Sequence, residues 1–147
     1  MKKLVLGLFV AVSLLLTSAS AVNMQDPESV AKAFLEVAMT TKRVSRTKGK
    51  YMPPEDVAKI KNLFKLPHRA DTYLKTRNRS FKGHVKQRKK KGLSTTLGLK
   101  VKARNFILNN TKCSVAYNYF ANTDMTKKYW SNGYFHMEYI NGEWKIK

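Results

Sequence analysis

The sequence predicts an α+β fold in which N-terminal helices pack on an antiparallel sheet. Three observations support this class. Apolar residues recur at three- and four-residue spacing in residues 26–40 and 54–74, and they alternate with polar residues in the later part of the chain. An Asn141-Gly142 pair separates the last two alternating segments.

The first 21 residues are predicted to be a secretory signal peptide. Lys2 and Lys3 precede an apolar run from Leu4 to Leu16, and Ala19 to Ala21 offers a small-residue cleavage site. A helix of that length spans about 20 Å, short of the roughly 30 Å hydrocarbon core of a bilayer. We therefore expect the leader to be removed, the protein to be periplasmic or secreted, and no transmembrane segment to remain.

The mature chain, residues 22–147, suits one domain and is strongly basic. Its 126 residues would bury roughly two thirds of the surface of the unfolded chain. The whole sequence has 29 basic and 9 acidic residues, and loss of two lysines with the leader leaves a net charge of +18. This excess favours anionic partners such as nucleic acid, acidic polysaccharide, lipopolysaccharide or an anionic membrane.

Cys113 is the single cysteine, which excludes an intrachain disulfide. It alternates with Val115 in a strand-like segment, so we expect a buried thiol rather than an intermolecular bridge. No cysteine lies at the end of the leader, so lipid attachment is not expected there.

The first helix is predicted to begin at Pro27, with Asp26 as its cap and Glu28 in its first turn. An apolar face then continues to about Thr40. From Thr41 to Pro53 the sequence is basic and lacks apolar periodicity, which predicts a solvated connection.

A second helix is predicted from Pro54, because Glu55 and Asp56 follow in the first turn and an apolar stripe continues to Phe64. Leu66-Pro67 ends it. A third, short helix is predicted from His68 to Arg79.

Beyond Ser80 we expect strands. Leu97 to Arg104 alternates apolar and basic residues, and Asn109-Asn110 predicts a turn. The next strands are predicted from Cys113 to Ala121 and from about Lys128 to Ile140.

Asn141-Gly142 predicts a two-residue type I′ hairpin. Counting outward from this turn pairs Ile140 with Glu143, Tyr139 with Trp144, Glu138 with Lys145 and Met137 with Ile146. This register puts Phe135, Met137, Tyr139, Trp144 and Ile146 on the covered face and His136 and Glu138 on the other.

Two segments resemble a known family. Residues 26–36 (DPESVAKAFLE) are similar to the first helix of small exported bacterial proteins with the nuclear-transport-factor-2-like, or cystatin-like, fold. Residues 141–146 (NGEWKI) are similar to the closing strand of those proteins. The resemblance implies a cone of helices on a strongly curved sheet, often around an apolar pocket, and it implies no particular activity.

The sequence offers no catalytic or metal-binding set. An isomerase or dehydratase would need an acid or base with a shifted pKa inside a pocket, whereas His136 and Glu138 are predicted to be a surface pair. His68 and His84 have no carboxylate or cysteine at ligand spacing. We therefore expect no cofactor and no metal, and an enzyme of that type remains a third hypothesis.

Aromatic residues concentrate on the predicted strands. They could line a pocket for an apolar ligand, or they could form the core of a small sheet, and the core is the favoured interpretation. The candidate ligand-binding residues are Tyr117, Tyr119, Trp130 and Tyr134.

Two basic segments form a candidate polyanion-binding patch. Alternate residues of a strand project from one face, so two paired strands would bring six cations together. The alternative is an ordinary solvated sheet face. The candidate residues are Lys86, Arg88, Lys90, Lys100, Lys102 and Arg104.

The function expected first is therefore an exported binding domain without catalysis, with a small apolar ligand or another partner. The alternative is a basic surface module that binds an anionic envelope polymer.

Overall fold

The computed structural model describes residues 22–44, 46–47, 50–121, 123 and 133–147, so the predicted leader lies outside the described residues. Within these residues, α-helices accompany a four-stranded antiparallel sheet that is curved and not closed, and the first helix packs on its inner face. The predicted α+β class, with N-terminal helices on a curved antiparallel sheet, is confirmed.

Helix α1 spans Pro27–Thr40 and begins as the sequence predicts. Both carboxylate oxygens of Asp26 accept backbone N–H bonds, from Glu28 and Ser29, at 3.1 and 3.2 Å. This satisfies two of the amides that a helix N-terminus leaves unpaired. The apolar face of α1 is buried against the sheet, with Phe34 fully inaccessible to solvent.

The described residues of the basic connection from Thr41 to Pro53 include strands and buried side chains that the sequence did not predict. Two short strands, β1 (Arg46–Thr47) and β2 (Lys50–Tyr51), pair antiparallel within it. Val44 and Met52 are buried, and the Val44 amide donates to Asp71 at 2.6 Å. The buried residues of this segment are isolated in the sequence and form no periodic pattern. For this reason the apolar periodicity did not predict their burial.

Helix α2 spans Pro54–Asn62, with Glu55 and Asp56 in its first turn. The chain then runs parallel to the last strand of the sheet. The Ile146 amide donates to the Leu63 carbonyl and the Lys65 amide donates to the Ile146 carbonyl, both at 2.8 Å. This short segment covers one edge of the sheet.

Helix α3 is longer than predicted. A 3₁₀ turn at Pro67–Arg69 leads into an α-helix at Ala70–Lys90, so the predicted end at Arg79 is wrong. The residues after Arg79 continue the helical period, because Phe81 and Val85 lie on the side of Leu74. Gly92, with φ of +67°, follows the helix.

The sheet is a meander of four strands in the order β3-β4-β5-β6. The strands are Gly98–Ile107 (β3), Lys112–Phe120 (β4), Gly133–Ile140 (β5) and Glu143–Ile146 (β6). The part of the last long strand predicted before Gly133 lies outside the described residues. The β3 edge is capped by Glu28, whose Oε1 accepts from the Ala103 amide at 2.8 Å.

The predicted β5–β6 register is confirmed at all four pairs. Phe135, Met137, Trp144 and Ile146 are buried, whereas Tyr139 is 38% exposed, which corrects its predicted burial. Tyr139 lies in the second pair from the Asn141-Gly142 turn. There the segment before α1 covers Trp144, through a 2.7 Å bond from its amide to the Met24 carbonyl.

Candidate functional site

Tyr117 and Tyr119 lie on the inner face of the sheet, beneath the helices. Tyr117 is inaccessible to solvent and stacks on Phe135, with ring centroids 5.6 Å apart. Tyr119 is 3% exposed and meets the edge of Phe81 at 4.9 Å. Both residues are therefore part of the hydrophobic core, the alternative that the sequence favoured.

Tyr134 lies on the opposite face of the sheet. It is 58% exposed and packs edge-on against His136. Trp130 lies outside the described residues. Tyr117 and Tyr119 therefore share no site with Tyr134. Successive residues of a strand point to opposite faces of the sheet, and Tyr134 is paired with Ala116 rather than with Tyr117.

Arg77 is a core-facing cation that sequence analysis missed. Its guanidinium carbon lies 4.8 Å from the Phe135 ring centroid, and its Nη1 donates to Tyr117 Oη at 2.9 Å. The sequence held one indication of this position: Arg77 is three residues after Leu74, and residues at that spacing lie on the same side of a helix. Arginine can occupy such a place because its flat guanidinium stacks on aromatic rings.

The tyrosines beneath α3 remain protonated near neutral pH. Burial raises the pKa of Tyr117, and the neighbouring Arg77 opposes this increase. Burial also raises the pKa of Tyr119, whose hydroxyl has no hydrogen-bond partner among the described residues. His84 lies beside Tyr119, with ring centroids 6.2 Å apart, but no hydrogen bond joins them.

Outside this cluster, Glu138 lies at the surface. A hydrogen bond from Lys65 Nζ at 2.9 Å lowers the pKa of its carboxyl. Glu138 therefore stays ionised, as expected of a surface carboxylate in an ion pair.

The six predicted polyanion-binding residues do not form one patch. Lys86, Arg88 and Lys90 belong to α3 and not to a strand. Lys100, Lys102 and Arg104 lie on the outer face of β3, whereas α3 packs on the inner face. The prediction is wrong because the segment after Ser80 continues as an α-helix, with 3.6 residues per turn, and does not form a strand. In a helix, Lys86 and Arg88 also point to different sides.

Helix α3 carries its own line of cations. Five exposed basic residues follow one another at spacings of four, three, four and three residues, which places them on one side of the helix. From first to last they cover about 21 Å. We call them the helix stripe: Lys75, Arg79, Lys82, Lys86 and Lys89.

The helix stripe borders the side of α3 that packs on the protein. Leu74 and Asn78 are buried, and Asn78 Nδ2 donates to the Ala38 carbonyl at 2.7 Å. Arg88 is turned away from the stripe, and its Nε donates to the Ser94 carbonyl. All five stripe side chains are exposed to solvent, although buried residues lie next to them on the helix.

The acidic residues that the structure describes form no ion pair with the helix stripe. The one acid on α3 is Asp71, which accepts from Val44. Asp26 caps α1, Glu28 binds the β3 edge, and the other ion-paired acids have lysine partners outside the stripe. Among the described residues, no ion pair involves a stripe cation.

The outer face of β3 holds a second, shorter group of cations, Lys100, Lys102 and Arg104, which we call the sheet row. It covers about 13 Å. Lys100 Nζ lies 5.1 Å from the ring centroid of Phe120 and so packs on the sheet.

Cys113 is confirmed as a buried thiol, 5% exposed. Burial, with a smaller effect of the Asp26 and Glu28 carboxylates, raises the pKa of its thiol to about 11. We expect iodoacetamide to alkylate the native protein at pH 8 at least about a hundredfold more slowly than the urea-unfolded chain, because the thiolate is the nucleophile. Equal rates, measured by mass spectrometry, would contradict the buried position.

In the part of the chain that the structure describes, no helix has the length and apolar character needed to cross a bilayer. The same residues contain no group of His, Cys, Asp and Glu arranged to hold a metal ion. Comparisons of the chain with protein-family models, with curated proteins and with solved structures find no match. The resemblance to the nuclear-transport-factor-2-like family therefore stays a prediction.

Proposed function

We propose that this protein is an exported binding domain that holds an extended polyanion along the helix stripe. One observation carries the proposal: five exposed cations lie on one side of a single helix, and no described acidic residue pairs with them. The buried tyrosines support interior ligand binding less well, because they are packed as core.

The chemistry of the helix stripe suits a linear partner with regularly spaced anionic groups. Successive stripe residues lie about 4.5 or 6 Å apart along the helix axis, so neighbouring phosphates or sulfates of one polymer can each meet a cation. Four of the five are lysines, which bind anions as point charges without the two-bond geometry of arginine. We therefore infer binding that depends on charge density rather than on the sequence of the polymer.

The helix stripe is a better candidate than the sheet row for two reasons. It is longer and has more cations, and counterion release grows with the number of anions neutralised. Lys100 of the sheet row also packs on Phe120, which restricts its reach.

The experiment compares two variants that each lose three positive charges. Lys82, Lys86 and Lys89 are changed to glutamine in the stripe variant, and Lys100, Lys102 and Arg104 are changed to glutamine in the sheet variant. Glutamine and lysine have nearly equal helix propensity, so α3 should persist. The probe is a fluorescent DNA duplex, used as a generic polyphosphate, and its affinity is measured by anisotropy as salt is varied.

Five phosphate contacts predict that the native protein loses about 500-fold in affinity between 50 and 200 mM salt, whereas two contacts predict about 12-fold. We expect the stripe variant to show the weaker dependence and the sheet variant to behave like the native protein. A stripe variant with native affinity and native salt dependence would overturn the proposal. If only the sheet variant loses its salt dependence, the sheet row is the binding surface instead.

A further inference from the structure

The turn between β3 and β4 exposes three consecutive apolar side chains. Phe106, Ile107 and Leu108 are 47, 57 and 61% exposed, and Tyr139 is 38% exposed at the same end of the sheet. Soluble proteins rarely leave such a run in water, and contiguous exposed apolar groups mark interaction sites. We call Phe106, Ile107 and Leu108 the apolar tip.

The backbone of the apolar tip is irregular. Phe106 packs edge-on against Trp144, with ring centroids 6.2 Å apart, whereas Ile107 and Leu108 are more exposed. The β3–β4 register is interrupted between Arg104 and Ile107, as at a β-bulge. Asn105, Leu108, Asn109 and Asn110 all have positive φ, and that of Leu108 is +51°. Leucine rarely adopts this left-handed conformation, so the turn keeps an apolar side chain exposed at a strained position.

The surroundings of the apolar tip are basic. Arg104 and Lys112 lie on the two strands that lead into and out of the turn, and Lys102 lies further along β3. Glu138 is opposite Lys112 in the β4–β5 register, but it is paired with Lys65 at 2.9 Å. An apolar projection with cations behind it complements a bilayer whose surface carries negative charge.

We propose that the apolar tip inserts into the interfacial region of a membrane that contains anionic lipids, while Arg104 and Lys112 contact the headgroups. A protein partner fits less well, because the tip offers three side chains on a projecting turn, whereas a standard protein interface uses about 20–30 residues a side. A hairpin tip needs only to reach about 5–10 Å into the interface.

Membrane docking by the apolar tip is independent of the proposed polyanion site. Gly98, which follows α3, lies at the end of β3 opposite the tip and pairs with Phe120. The two surfaces can therefore be changed separately, and the failure of one proposal leaves the other standing.

The first measurement places an environment-sensitive fluorophore at the tip. Leu108→Cys in the full chain is labelled with a nitrobenzoxadiazole reagent, which buried Cys113 should not take up. Leu93→Cys, at an exposed leucine outside the tip, is the matched control. The vesicles are phosphatidylcholine with or without 30% phosphatidylglycerol. Because the fluorophore reports only on its own surroundings, the measurement does not depend on other contacts between the protein and the lipid.

We expect a blue shift of the emission at position 108 with phosphatidylglycerol vesicles, and no shift at position 93. The double variant Ile107→Ser/Leu108→Ser should bind these vesicles at least about tenfold more weakly than Leu66→Ser/Leu93→Ser, because buried apolar area drives interfacial binding. An unshifted label at 108, or equal binding by the two double variants, would overturn the proposal. A shift that depends on protein concentration without vesicles would overturn it in favour of self-association.

Discussion

Replacing Phe34 with alanine is expected to lower the free energy of unfolding by about 3–5 kcal/mol. Phe34 is inaccessible to solvent and joins the layers of the fold. Its ring meets the edges of Phe64, at 4.8 Å between centroids, and Phe135, at 5.7 Å. The change would therefore remove the contact between α1, the segment after α2 and the sheet, and leave a cavity where they meet.

The loss is a large share of the 5–15 kcal/mol that stabilises an ordinary domain. Urea unfolding followed by circular dichroism measures it. The matched control is Phe106→Ala, which deletes the same atoms from a side chain that is 47% exposed. We expect this control to cost about 1–2 kcal/mol, because Phe106 is half exposed and keeps only an edge-on contact with Trp144. Similar losses for the two variants would mean that α1 does not pack on the sheet through Phe34.

Replacing Gly133 with alanine is expected to destabilise the protein by about 1–3 kcal/mol, as overpacking does in a filled core. A Cβ at this position would lie 2.6 Å from Tyr117 Oη and 2.9 Å from Tyr117 Cζ. The tyrosine ring has little freedom to move, because it stacks on Phe135 and accepts a hydrogen bond from Arg77. The Tyr117 ring can occupy this position because residue 133 has no side chain.

Two further variants separate crowding from other effects of losing a glycine. Gly83→Ala lies in α3 with no atom within 4 Å of the new Cβ, so it should stabilise the protein by about 1 kcal/mol through helix propensity. Tyr117→Phe removes the closest atom, so Gly133→Ala should cost less in that background. A Gly133→Ala penalty unchanged by Tyr117→Phe, measured by the same unfolding experiment, would contradict the contact with Oη.

The sequence predicted best where local chemistry decides the structure. The Asp26 cap needs only the next three residues, and the Asn141-Gly142 turn fixes the β5–β6 register because both central residues take positive φ, +51° and +81°. Alternation also predicted the buried face of β5 at Phe135 and Met137. These signals act over a few residues and do not depend on which element packs where.

Helix α3 shows where local signals were insufficient. Lysines and arginines on both of its sides hide the apolar period, because Arg77 faces the core and the stripe faces water. A cation in the sequence does not reveal whether it will stack on buried rings or remain in solvent. That choice depends on Tyr117 and Phe135, which are distant in the chain and reach Arg77 only when the sheet has formed.

By itself, then, the sequence determined the α+β class, the start of the first helix, the closing hairpin and the basic character of the chain. Only the tertiary structure decided which cations share a surface, that Tyr117 and Tyr134 lie on opposite faces, and that residues 106–108 are exposed to solvent. The physical reason is the distance along the chain over which each interaction acts. Caps, turns and alternation arise between near neighbours, whereas a binding surface is assembled from residues that packing brings together or keeps apart.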